Sequence, residues 1–228
     1  MKKLLATLVI VTIITGISLS QTTVNVLTGI NSASTDINSS LTEMVQVLPI
    51  KNATIGVKID QRLDKHLSLT TGLISKSKGF QVQQSTGVDI LGMDLPIGAK
   101  VINRIKYIEV PLLLTYNIKP VSGIEPYVSL GPSLSYAREG TLDTKVQAAI
   151  FDVNTTSTAL MLSSDDYNRT QIVGHAVAGI KLPYGIGQWI AEIGYSRSFT
   201  ELVNDNFRID AGGIHKDWNF SVGYGISF

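Results

Sequence analysis

From Trp218 to Phe228 every second side chain is apolar: Trp218, Phe220, Val222, Tyr224, Ile226 and Phe228 alternate with Asn219, Ser221, Gly223, Gly225 and Ser227. A period of two means an extended strand with two chemically different faces. The same pattern sets Ile55, Val57 and Ile59 against Lys58 and Asp60, and Val128, Leu130, Leu134 and Tyr136 against Ser129, Gly131, Ser133 and Ser135. Ile108, Val110, Leu112, Leu114 and Tyr116 likewise oppose Glu109, Leu113 and Thr115. Followed along the chain, the alternation predicts strands near 24–32, 53–62, 67–79, 104–118, 125–137, 170–182, 188–199 and 217–228.

Eight such strands predict an all-β fold, an eight-stranded antiparallel up-and-down barrel that spans a membrane. The connections carry the membrane part of that expectation. The second, fourth and sixth are short, as in Leu63-Asp64-Lys65-His66 and Pro183-Tyr184-Gly185-Ile186-Gly187, while the first, third, fifth and seventh are long and polar. Short turns at one end and long loops at the other is the habit of outer-membrane barrels. A soluble ligand-binding barrel of the periplasm has the same period, because alternation alone does not say which face meets solvent. Small residues dominate one face, which suits a narrow polar lumen. Aromatics cluster near the strand ends of the other: Tyr116, Tyr127 and Phe228 toward the short turns, Tyr136, Tyr195, Phe199 and Trp218 toward the long loops, with Tyr224 on the same apolar face. These are expected to face lipid as two interfacial girdles. Tyr127 has the parity of the opposite face. The chain stops at Phe228 on the apolar face, where barrel-assembly machinery is expected to read the last strand.

The first twenty residues read as an address. Lys2 and Lys3 precede an apolar run from Leu4 to Thr15, too short for the roughly 20 residues that span a bilayer, followed by small residues up to Ser20. That is the form of a secretory signal peptide cleaved near Ser20, leaving a domain over 21–228. Cleavage removes two of 19 Lys+Arg and leaves 17 against 18 Asp+Glu. So even a balance, with 16% charged residues overall, gives no support for nucleic-acid binding. The absence of Cys excludes disulfides, thiol nucleophiles and Cys-ligated metals.

Within this frame, Tyr107-Ile108-Glu109-Val110-Pro111-Leu112-Leu113-Leu114 and Glu125-Pro126-Tyr127-Val128-Ser129-Leu130-Gly131-Pro132 resemble hallmark segments of the PorT-like outer-membrane β-barrel family, and the stretch from Gly72 to Gly79 with Phe80 resembles a third. The resemblance covers roughly 50–228. It implies an eight-stranded barrel in the outer membrane of Gram-negative bacteria that use gliding or type IX secretion, with an accessory role in that machinery carried by the name-giving member.

Several charges fall on the small-residue face: Lys58, Asp60, Arg62, Lys76, Glu109, Lys181 and Glu192. On the lipid side a midplane Lys or Arg costs about 2–4 kcal/mol, so their parity supports the register. Lys58, Glu109 and Glu192 are expected at similar depth, as an interior ion-pair network that plugs the lumen. A small pore is the alternative. Other chemistry is sparse. His66, His175 and His215 make no i, i+4 metal pair; they are placed in a short turn, on a strand and in a long loop. His215 beside Asp217 is the one candidate for a rim enzyme. Ser133 lacks the second glycine of a nucleophile elbow, residues 92–100 miss a P-loop by one residue, and Asp152-Val153-Asn154 lacks the Gly and Glu of a calcium loop. No catalytic residue, cofactor or metal is expected. Pro111 and Pro132, inside strands, predict a bulge or kink at each. In the first loop, Ser40-Leu41-Thr42-Glu43 has capping-box spacing, and Leu41, Met44, Val45 and Leu48 recur at helical intervals, which predicts a short helix over the mouth. The fifth connection, 138–168, is the longest and the expected place for a protein partner.

Overall fold

A computed structural model describes residues 21–37, 46–90, 93–148, 151–160, 168–200 and 213–228. The leader segment, and residues 40–45 of the helix expected in the first loop, lie outside them. Nine strands follow one another: β1 (Thr22–Ile37), β2 (Gln46–Arg62), β3 (Leu67–Ile90), β4 (Met93–Asn117), β5 (Glu125–Ala148), β6 (Phe151–Leu160), β7 (Thr170–Tyr184), β8 (Gly187–Ser198) and β9 (Gly213–Ser227). All pairings are antiparallel: successive strands pair from β1 to β5 and from β7 to β9, β1 also pairs with β9, and β5 pairs with both β4 and β7, so eight strands close into a barrel. The ninth, β6, pairs with the far end of β5, over Gly140 to Ala148.

The barrel strands are those the alternation marks, but five of them run on, β1 to Ile37 and β2 from Gln46 among them. β3 and β4 continue pairing as far as Ile90 and Met93, and β5 turns back as β6. The third and fifth connections are therefore largely hairpins where loops were expected. Leu48, expected in a helix, is in β2 opposite Gln81. Stretches such as Gln81-Val82-Gln83 and Thr141-Leu142-Asp143-Thr144 bury neither face against an apolar core, so no alternation marks them; β-branched residues and backbone pairing hold them extended.

Neither proline brings a bulge. The β3–β4 register is the same on both sides of Pro111, and the β5–β7 register runs straight through Pro132 opposite Gly174. The ladder between β4 and β5 only lapses, with Pro111 opposite Ser133 and Leu114 opposite Leu130 in one unbroken register. The shift lies a turn higher. Lys106 pairs with Glu139 but Tyr107 with Ala137, leaving Arg138 as the extra residue.

Closure fixes the stagger. The row of ladder partners Lys51, Ser32, Trp218, Tyr195, Ala176, Leu130, Leu114 and Leu69 circles the barrel and meets β2 again at Gln61, ten residues from its start (61 minus 51). Ten over eight strands is 1.25 residues of slip per strand, which goes with the usual tilt of about 40°. An eight-stranded barrel of this kind has room inside for side chains only.

Inside, that room is taken mainly by polar groups: Asn25, Lys58, Thr70, Lys76, Glu109, Thr115, Ser135, Glu192, Asp217 and Ser221 are all buried. Outside, Val26, Ile30, Leu73, Leu112, Leu130, Ile172, Ile193 and Phe220 stand exposed. The molecule is thus inside-out relative to a soluble domain, in which such a continuous apolar surface is rare. Glycines let large side chains fit within the narrow bore. Tyr127 points inward and lies across Gly179, where a Cβ would come within 2.5 Å of its ring. At Gly72, φ is +154° and a Cβ would fall 2.1 Å from the Val57 carbonyl oxygen, so only glycine keeps β2 and β3 this close.

We expect Gly179→Val to push Tyr127 out of place and destabilise the barrel by about 1–3 kcal/mol, as overpacking does. A fall in the urea midpoint of the heat-modifiable band on gels measures this. An unchanged midpoint would contradict the packing described.

Candidate functional site

Inward-facing charges sort into three tiers along the barrel axis. Nearest the short turns, Lys181 lies 3.4 Å from Asp60, which also accepts from Asn25 at 2.9 Å and Thr70 at 2.6 Å. Lys181 donates to Asn117 at 3.2 Å and sits 5.0 Å over the Tyr127 ring. In the middle tier, Lys58 is 2.5 Å from Glu192, whose other oxygen accepts the Tyr127 hydroxyl at 2.8 Å. Toward the long loops, Glu109 takes Lys78 at 2.5 Å and Lys76 at 2.9 Å, while Lys76 also reaches Asp217 at 3.1 Å and Ser196 donates to Asp217 at 2.6 Å.

Lys58, Glu109 and Glu192 therefore do not form one cluster. The first and last pair with each other; Glu109 belongs to the tier above, with lysines from β3. The stagger is the reason, since strands several steps apart slip by several residues, and equal distance from a turn is not equal depth. Arg62 leaves the lumen as well: it is exposed at the rim and donates to the Gln21 side chain at 2.9 Å. Lys78, Asp217 and Tyr127 complete the tiers without having been marked as members. Lys78 and Asp217 carry the parity of Lys76 and Asn219, so extending each alternation by one more pair finds them.

The tiers contain four lysines (58, 76, 78 and 181) and four carboxylates (60, 109, 192 and 217), a neutral filling. Between the upper and middle tiers a cavity of about 40 Å³ remains, and between middle and lower one of about 10 Å³. Spaces of that size hold isolated waters, not a continuous column.

The histidines do not assemble a catalytic site. His215 lies on β9 and not in a loop. It is buried, its Nδ1 2.8 Å from the Thr35 hydroxyl, while Asp217 is engaged by Lys76 and Ser196. His175 is on β7 with its Nε2 2.7 Å from Ser133 Oγ and 3.7 Å from Glu109. A nucleophile and an acid on the same ring nitrogen cannot act as a relay, which needs the carboxylate on the other one. His66, in its short turn, stacks on Tyr116.

Outside, the aromatics stand where the strands enter and leave the apolar band. Tyr116, Phe228 and Trp189 are exposed near the short turns, and Trp189 packs edge-on to Tyr224 at 5.2 Å. Tyr136, Trp218 and Phe199 are exposed near the other end, with Tyr195 5.1 Å from Trp218. Along β9, Trp218 and Phe228 are ten residues apart, roughly 25 Å of height at a tilt of about 40°, the thickness of an outer-membrane apolar band. Trp189 shares the parity of Ile193 and was legible from it.

A sequence profile described as "Outer membrane protein beta-barrel domain" matches residues 18–204. The chain belongs to this outer-membrane β-barrel family. Solved structures with a similar fold include Neisserial surface protein A, with 13% identity, a TM-score of 0.43 and coverage of 90% of this chain and 97% of that one. OprG from Pseudomonas aeruginosa has 13% identity and a TM-score of 0.47, over 92% and 96% of the two chains. Ail of Yersinia pestis has 12% identity and a TM-score of 0.38, over 91% and 99%. No curated protein matches the sequence. As an outer-membrane barrel, the molecule has its short turns toward the periplasm and its long connections outside the cell.

Glu109→Ala would leave Lys76 and Lys78 buried without their shared carboxylate. We expect a loss of about 3–5 kcal/mol, the usual cost of breaking a buried pair from one side, seen as a lower urea midpoint. Glu139→Ala, which breaks the exposed pair with Lys106, is expected to leave the midpoint in place. Equal effects would show that the tiers are solvated.

Proposed function

We propose that this outer-membrane barrel is a non-enzymatic, non-conducting anchor whose task is to present its extracellular hairpins to a protein partner. The observation that supports this reading is the neutral, ion-paired filling of the lumen, which among the described residues leaves only small isolated cavities in the bore. The elaborated part lies beyond the outer girdle, where β3, β4, β5 and β6 continue as a paired wall. Among the described residues β6 pairs only with β5, so its other edge offers unpaired backbone groups, the feature that strand addition uses.

In this reading the leader is cleaved near Ser20 for export, assembly machinery recognises β9 with its outward aromatics, and both aromatic girdles lie at the lipid interfaces. The PorT-like segments around Pro111 and Pro132 support a partner within secretion or gliding machinery.

Purified protein in planar bilayers should give no steady conductance; ohmic steps would overturn the sealed lumen. Gly140 and Leu160 are ladder partners, so residues 143–157 can be replaced by a two-residue turn that removes the partners of β4 over 97–102 but leaves the β4–β5 ladder from Asn103 downward in place. The shortened protein is expected to insert normally, shown by its heat-dependent gel mobility, while secretion or gliding in the source bacterium falls. Normal secretion and motility with an inserted barrel would refute the accessory role.

A further inference from the structure

The two histidines of the lumen share one tier. Among the described residues both stand with the charges nearest the long loops, and the middle and lower tiers hold none. His175, Ser196 and Asp217 are ladder partners in one row across β7, β8 and β9. Lys76 reaches across the bore to Ser196 at 3.4 Å and to Asp217 at 3.1 Å. Above this row His215 pairs with Thr35 of β1 and meets the Tyr107 ring edge-on at 6.0 Å, with Lys78 5.0 Å from the same ring. The charges that act on the two imidazoles are one set: Lys76 and Lys78 from β3 and Glu109 from β4 on both, with Asp217 from β9 on His175. Strand β5 adds the uncharged Ser133, while Lys58 of β2 and Glu192 of β8 face His175 across the cavity and pair with each other.

Two lysines and two carboxylates make this tier neutral with both imidazoles uncharged. A proton on His175 would set a third cation on Glu109, 3.7 Å away and already shared by Lys76 and Lys78. A proton on His215 would set another cation beside Lys78. Buried charge without a counter-ion is costly, whereas a histidine in water takes up a proton near pH 6.5. Water has a place to collect, because the cavity of about 40 Å³ lies directly under the tier, with His175, Lys76, Ser196 and Asp217 on its wall. The buried Thr54 hydroxyl, on the same wall, has no hydrogen-bond partner.

We propose that the upper tier is an acid-operated lock. Protonation of His175 and His215 ends its neutrality, admits water from outside the cell and loosens the extracellular half of the barrel, while the two tiers without histidine keep the bore shut. Strands β3 and β4, which supply Lys76, Lys78, Tyr107 and Glu109, continue outward as a paired hairpin, so the loosened tier alters the footing of the chain outside the cell. The direction follows from the proton count: the opened tier binds more protons than the closed one, so acid favours it. Passing from about pH 7.5 to about pH 5 favours opening by up to about thirtyfold for each histidine. The inference rests on the sealed lumen of the proposed function and needs no partner for the hairpins.

The test is hydrogen exchange of the folded full-length protein in lipid nanodiscs at both pH values, with rates corrected for the intrinsic effect of pH. We expect amides of residues 171–176 and 214–218 to exchange about tenfold faster or more in acid. Those of 179–184 and 220–226, toward the periplasmic ends of the same strands, should keep their rates. His175→Gln with His215→Gln should abolish the acid response. The heat-dependent gel shift checks that the variant is folded; if it is not, each single variant carries the test and should lose part of the response. Planar-bilayer recordings separate the two readings. Conductance at neutral pH overturns the sealed lumen and the lock with it, whereas conductance in acid alone overturns the lock and leaves the sealed lumen at neutral pH standing. Equal exchange at both pH values, a response shared equally by both strand ends, or a full acid response in the folded variants would each overturn the proposal.

Discussion

Closure of eight strands at a stagger of ten leaves a bore as wide as the side chains that line it, and everything else in the molecule answers to that constraint. A lysine pointing inward has no bulk water to meet, so it must meet a carboxylate, and the carboxylate must arrive at the same height from another strand. Lys58 and Glu192, Lys181 and Asp60, and Lys76 with Glu109 and Asp217 are the result. The same narrowness makes Gly179 necessary under Tyr127 and Gly72 necessary beside Val57. On the outer side the constraint is reversed. Backbone groups are paired around the circle apart from short lapses such as that between Pro111 and Leu114, so the surface is free to be as apolar as lipid requires.

Much of this was legible in the chain because a strand with one wet and one greasy face has to alternate. Trp218 to Phe228 and Ile108 to Tyr116 state their faces residue by residue, and the interior charges follow by parity. Depth was less legible. Parity places Glu109 inside, but only the ladder registers, summed around the barrel, show that it stands a tier above Glu192. Pairing beyond the bilayer was less legible: stretches such as Gln81-Val82-Gln83 and Thr141-Leu142-Asp143-Thr144 are half-buried on both faces, so the hydrophobic signal that marks a strand is weak there. Pro111 and Pro132 misled in the opposite direction. A missing N–H removes a rung but need not shift the register, and the shift occurs instead at Arg138, which no breaker residue announces.

The two faces also divide the work. Among the described residues the lumen is neutral and tightly ion-paired, so its side chains stabilise the closed barrel. What distinguishes this barrel from a generic one is outside: a wall of strands above one sector.

The pairs in the lumen also bear on how the barrel comes into being. Lys58 and Lys76 are on the second and third strands, yet Glu192 and Asp217 come 134 and 141 residues later, on the last two. Asp60 waits likewise for Lys181, 121 residues on. The early strands cannot neutralise all of their own charges: Lys58 and Asp60 wait for partners on β8 and β7, and Lys76 and Lys78 share the single carboxylate, Glu109, that the β3–β4 hairpin supplies until Asp217 joins them. Buried charges left without their partners are costly, so closure of all eight strands is favoured over a partly closed barrel.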